Sequence, residues 1–146
     1  MKGEKCMPPD SDGPGGGEDW LRHARSDLAL ASAVGPVGDI LAETLCFHAQ
    51  QAAEKALKAV LVHVGIEFPR THSLRLLVDL LPHAIRTDRV PEAAVALTDY
   101  AVTTRYPGET EPVDQAELEE SIRLAQAVVR WAESQVRGSL PSTSQA

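Results

Sequence analysis

The sequence predicts an all-α protein, an up-and-down helical bundle of four to five helices. Three observations carry that expectation. Apolar residues recur at three- and four-residue spacing from about Asp19 to Val136, and no stretch alternates convincingly at the two-residue period of a half-buried strand. Gly and Pro collect between the periodic stretches, where they punctuate helices.

The first helix is expected from about Asp19 to Val34, with Asp19 as N-cap and Trp20, Leu21, Ala24, Leu28 and Ala31 on one face. Gly35-Pro36 stops it. The second runs from about Asp39 to Val64 without Gly or Pro, and Gly65 closes it as the residue beyond the C-cap. A short third helix, about His72 to Leu81, takes its cap from Thr71 or Ser73 and ends at Pro82. The fourth begins near Pro91, which suits a first turn, places Ala94, Leu97 and Ala101 on one face, and ends at Tyr106-Pro107-Gly108. The fifth opens with Asp114 and Glu117 at capping-box spacing and turns Leu118, Ile122, Ala125, Val129, Ala132 and Val136 inward. Residues 1–17 and 138–146 are rich in Gly, Pro, Ser and polar groups and are expected to be disordered tails around a helical domain at 18–137.

A chain of 146 residues is long enough to bury one core without disulfides. Cys6 and Cys46 lie far apart and form no metal-ligand spacing, so neither a disulfide framework nor a structural metal is expected. Cysteine usage, the lack of an apolar leader and the lack of a bilayer-length apolar run all point to a cytoplasmic protein without membrane contact. A net charge of −7 disfavours nonspecific duplex binding by the whole chain. The charge is uneven: residues 47–106 carry seven basic and six acidic groups, whereas 1–46 carry four and eight and 107–146 carry three and seven. That asymmetry permits a local anion site in the middle segment.

Within that segment the second helix is apolar on two sides. Leu41, Leu45, Ala49, Ala52, Ala56, Ala59 and Val60 form one side; Cys46, Phe47, Leu57 and Leu61 form the other. At about 100° per residue, Gln51, Lys55 and Lys58 fall in one narrow sector with His48 at its edge. Such a stripe on a buried helix is either satisfied internally or lines a groove. The internal reading gives Glu54 and Lys58 as a stabilising i,i+4 pair. The functional reading gathers Lys55, Lys58 and Arg70 around a phosphate, with Gln51 and His72 supplying hydrogen bonds. Arg105, in the turn TTRYPG, is a further anion-binding candidate beside its capping role. No Gly-rich phosphate loop, GxSxG or HExxH motif occurs.

The stretch CFHAQQAAEKALKAVL, followed by PRTHSL and a later RYPG, resembles the HEPN domain, a family of small helical bundles. The resemblance covers roughly Asp19 to Val136 and is most specific at Phe47, Gln50, Gln51, Ala53, Glu54, Lys55, Ala56, Leu57 and Lys58. It implies a homodimer, and a partnership with a minimal nucleotidyltransferase in a toxin–antitoxin-like pair. It also implies that the ligand, where there is one, is a nucleotide or RNA. The family's metal-independent RNases carry an Arg followed after four to six residues by a His. Here one residue separates Arg70 from His72 and seven separate Arg75 from His83, and neither Tyr100 nor Tyr106 has an Arg six residues before it.

The leading reading is a nucleotide-associated accessory module that acts by docking rather than bond-breaking and needs no cofactor. Its anion-binding residues would be Gln51, Lys55, Lys58, Arg70, His72 and Arg105. The alternatives are a metal-independent RNase toxin, with His72 and Arg105 as candidate catalytic groups, and a purely structural homodimer.

Overall fold

The computed structural model describes residues 15–33, 37–86, 89–100 and 112–138. Its helices are α1 (Gly17–Ala33), α2 (Ala42–His63), α3 (Leu74–Leu80), α4 (His83–Arg86), α5 (Arg89–Ala94) and α6 (Gln115–Glu133). A 3-10 turn at Val95–Tyr100 extends α5, and a π turn at Ser134–Gly138 extends α6. No strand occurs among the described residues, so the architecture is the all-α bundle the periodicity predicts.

The central rod is α2. Its Ala-rich composition favours helix and leaves little side-chain bulk between neighbours. Ala49, Ala52, Ala53, Ala56 and Ala59 are fully buried, so α1 and α6 approach its backbone closely. Gly17 shows how closely: a Cβ there would lie 3.3 Å from the carbonyl oxygen of Ala59. That contact also sets direction, because the start of α1 meets the end of α2 and the two run antiparallel. Glu43, in the first turn of α2, accepts a hydrogen bond from Val113 N just before α6 (3.1 Å), so α2 and α6 run parallel. The chain returns between them through α3, α4 and α5, which together replace the third rod of an up-and-down bundle.

The seam between α2 and α6 holds a small second core of Leu45, Cys46, Val113 and Leu118. There the Cys46 thiol lies 3.2 Å from the Ser121 hydroxyl, both buried. Ser121 in turn donates to Leu118 O at 2.9 Å.

Helix ends follow local chemistry. Gly65 adopts φ +80°, and the N–H groups of Gly65 and Ile66 donate to Val62 O and Leu61 O at 3.0 and 2.9 Å. This is a Schellman motif, and it turns the chain sharply out of α2. Ser73 caps α3 by accepting from Leu76 N at 3.1 Å. Asp114 and Glu117 complete a reciprocal capping box at the start of α6, with bonds of 2.8 and 3.1 Å.

Three element boundaries differ from expectation. The first helix starts at Gly17, and Asp19 lies inside its first turn, where its carboxylate accepts from Gly15 N at 3.1 Å. The second starts at Ala42, not Asp39, because Gly38 at φ +58° breaks the approach; Leu41, expected inside, is 59% exposed. The region around Pro91 is two short helices rather than one. The Gly35-Pro36 stop, Ala101, the Tyr106-Pro107-Gly108 terminator, Arg105 and most of both expected tails lie outside the described residues. The inner face of the last helix is as predicted: Leu118, Ala125, Val129 and Ala132 are buried, and Ile122 and Val136 pack against the core. No described helix is long and apolar enough to cross a membrane.

Candidate functional site

The turn that Gly65 makes delivers Phe68, Pro69, Arg70, Thr71 and His72 against the last half of α2 and the first turn of α1. The result is a cleft of about 340 Å³ lined by Trp20, Lys58, Phe68, Arg70, Thr71 and His72. Phe68 is buried and meets Trp20 edge to face, with ring centroids 6.2 Å apart. The Lys58 ammonium sits 5.3 Å from the Trp20 ring centroid and 5.8 Å from that of Phe68. These cation–π contacts hold a lysine whose side chain is only 8% exposed.

Behind the cleft lies Glu54, only 2% exposed. Its carboxylate accepts from Lys58 Nζ at 2.9 Å and from Gln51 Nε2 at 3.2 Å. His72 Nδ1 approaches both carboxylate oxygens at 3.1 and 3.2 Å. A buried carboxylate is tolerated only when paired and hydrogen-bonded, and three side chains here meet that need. Because a carboxylate paired with an ammonium only accepts, His72 must carry its hydrogen on Nδ1. Nε2 is the imidazole's other nitrogen, and the side chain is 82% exposed.

The polar stripe of α2 therefore divides. Gln51 and Lys58 turn with His72 to Glu54, whereas Lys55 reaches α1 and donates to Asp27 at 2.6 Å. His48 joins Lys55 there, with Nδ1 3.1 Å from the other Asp27 oxygen. Of the sequence candidates, Lys58, Arg70 and His72 meet at the cleft; Gln51 supports it from behind; Lys55 belongs to the α1–α2 contact. Arg105 lies outside the described residues. Reading the stripe alone missed Trp20, Phe68, Thr71 and the anchoring role of Asp27. A signal for the aromatic pair existed: the chain has only two Trp, two Tyr and two Phe, and Phe68 directly follows the helix stop.

The hydrogen-bonding inventory of the cleft is one-sided. Arg70 makes no hydrogen bond or ion pair among the described residues, so its five N–H donors are uncommitted. Lys58 gives one donor to Glu54 and keeps two. Thr71 Oγ1 accepts from Ser73 N at 3.1 Å, which leaves its O–H to donate. The Trp20 indole N–H is buried without a partner among the described residues. Among the described residues, no carboxylate lines the cleft. Such a surface suits an oxyanion, and the aromatic walls suit a flat apolar group beside it. Among the described residues, no group of three or more His, Cys, Asp or Glu is placed to hold a metal ion.

A family model for the HEPN domain matches residues 17–135, which takes in α1 through α6 and the whole cleft. The chain belongs to the HEPN domain family. Two solved structures carry the same fold. TT1696 from Thermus thermophilus is 35% identical, with 82% of this chain and 97% of that one covered and a TM-score of 0.68. ST0689, described as an archaeal HEPN homologue, is 31% identical over 83% of this chain and 98% of that one, with a TM-score of 0.61. No curated protein matches the chain significantly. The part of α2 that carries the resemblance thus holds the Glu54 cluster: Gln51, Glu54 and Lys58 brace the cleft from α2.

Proposed function

We propose that this HEPN protein is a nucleotide-associated accessory module, active in the cytoplasm as a homodimer beside a minimal nucleotidyltransferase partner in a toxin–antitoxin-like pair. The observation that carries the nucleotide part is the cleft itself, where uncommitted donors of Lys58, Arg70 and Thr71 stand next to the rings of Trp20 and Phe68. A phosphate takes the donors and a base takes the aromatic wall. The partner and pairing rest on membership of the family. The dimer has a further support in Leu30, Val37, Ile40 and Leu41, large apolar side chains left exposed at the last turn of α1 and the approach to α2.

Ligand-dependent unfolding tests the nucleotide part. A nucleotide that binds the native state raises the thermal midpoint; at about a hundred times Kd the gain is about 2.7 kcal/mol. Arg70→Ala, an exposed change, is expected to remove that shift while leaving the unliganded midpoint within about 2 °C. If nucleoside mono- and triphosphates at millimolar concentration leave the wild-type midpoint unmoved, the cleft is not a nucleotide site and the structural-homodimer reading takes its place.

A second reading, a metal-independent RNase, has one observation in its favour. The Glu54 contact orients the His72 imidazole and fixes its tautomer, the arrangement a proton-transferring histidine needs. Cleavage of a short RNA without divalent ions, lost in His72→Asn, would move the protein to that class.

A further inference from the structure

We infer that His72 is a positioning residue: Glu54 holds it, and through it holds Arg70 at the cleft, so that the ligand meets the guanidinium and not the imidazole. This deepens the nucleotide reading and rests on it.

Arg70 is free at its side chain, yet the backbone that carries it is held on both sides. Upstream, Phe68 is 1% exposed and meets the Trp20 ring edge to face at 6.2 Å. Pro69 follows, whose ring fixes its own φ and confines the residue before it to extended backbone. Downstream, His72 Nδ1 donates to the Glu54 carboxylate, 3.1 and 3.2 Å from its two oxygens. Thr71 Oγ1 accepts from Ser73 N at 3.1 Å, and Ser73 caps α3. Arg70 and Thr71 thus form a short bridge between fixed points, and a short bridge has few conformations to lose when a ligand binds.

The fixed point on the Glu54 side is itself firm. Glu54 is buried on the central helix, where Lys58 and Gln51 of the same helix donate to its carboxylate at 2.9 and 3.2 Å. His72, by contrast, leaves 82% of its side chain in solvent, so it is the bond to Glu54 rather than burial that ties it to α2. Without that bond the next buried residue of the connection is Leu74, at the start of α3. The stretch from Pro69 to Ser73 would then sample more conformations, and a ligand gripping Arg70 would bear the cost of ordering it. A guanidinium is sensitive to such loosening, because its two parallel bonds to a phosphate need one orientation of a planar fork. The imidazole has already given its Nδ1 hydrogen to Glu54, whereas the spare donors belong to Arg70, Lys58 and Thr71.

Two variants separate support from contact. His72→Asn puts an amide nitrogen where imidazole Nδ1 sits, so it keeps the bond to Glu54 and removes the far side of the ring; His72→Ala removes both. Titration calorimetry of the full chain with AMP should find His72→Ala weakened about tenfold and His72→Asn within about twofold of the wild type. Without ligand, trypsin should cut the Arg70–Thr71 bond at least about tenfold faster in His72→Ala than in the wild type or His72→Asn. Cutting at Arg123–Leu124, inside α6, should be equal in all three; if it rises in step with Arg70–Thr71, His72 supports the whole fold and the inference fails. Equal loss of AMP affinity in both variants means that the ligand touches the imidazole, which overturns the inference and leaves a nucleotide site standing. Faster cutting at Arg70–Thr71 with AMP affinity unchanged overturns it too, because the placement of Arg70 would then not matter. Failure of AMP to bind the wild type overturns the nucleotide reading, and the inference with it.

Discussion

Glu54 gathers three side chains around one carboxylate. It is buried, and Lys58, Gln51 and His72 all turn to it. The i,i+4 spacing made the Glu54–Lys58 pair legible in the sequence, and helical periodicity placed Gln51 on the same stripe. Trp20 was not legible as a companion of Lys58, because tertiary approach alone brings α1 to that spot. Lys55 and Lys58 look equivalent on a helical wheel, yet one pairs across to α1 and the other back along its own helix. Removing one member of a buried pair leaves the other charge unpartnered. Glu54→Ala should therefore cost about 3 kcal/mol in urea unfolding, and Glu54→Ala/Lys58→Met should recover most of that loss. Equal destabilisation in the single and double variants would mean that the pair does not govern the cost.

At the scale of elements, the long helices were readable because their apolar faces repeat over several turns and their ends carry strong signals in Gly65, Ser73 and Asp114. The stretch from His83 to Tyr100 resisted reading. Its helices α4 and α5 are four and six residues long, too short for a period to declare itself. Arg75 links α3 to this stretch through Glu92, whose carboxyl its hydrogen bond holds below the ordinary glutamate range. A similar clasp ties the first turn of α1 to the π turn after α6. Arg137 donates to both oxygens of Glu18 at 2.6 and 2.9 Å, and this hydrogen bond lowers the Glu18 pKa. A carboxyl depressed in the folded state stabilises above its unfolded value, and that contribution disappears as pH falls through the folded value. The clasp is half-exposed, so its worth is under about 1 kcal/mol and falls with salt. Unfolding midpoints measured from about pH 6 to pH 3 should drop less steeply below about pH 4 in Arg137→Ala than in the wild type. Identical profiles would show that the clasp is not kept in solution.

The whole molecule is a bundle in which one Ala-rich rod lets two others close upon it while short helices carry the chain back. Family membership was visible in the sequence because the signature residues of α2 do two tasks at once. Their alanines set the distance between helices, and their Gln, Glu and Lys brace the one face where the rod is polar. That coincidence makes the α2 part of the signature a strong guide to architecture and a weak guide to chemistry; the proposed nucleotide site takes Arg70, Thr71 and His72 from the connection that follows α2.

The thiol of Cys46, shut in the seam between α2 and α6 beside Ser121, makes the bundle's breathing measurable. With Cys6 changed to Ser, a thiol-specific reagent can react only when those two helices part. Labelling under native conditions should run at least about a hundredfold slower than in the urea-unfolded chain, and the ratio of the two rates gives the free energy of that opening. If the ratio matches global stability from urea unfolding, the seam opens only with the whole fold; if it is smaller, α6 detaches by itself, and the buried sulfur becomes a clock for that motion.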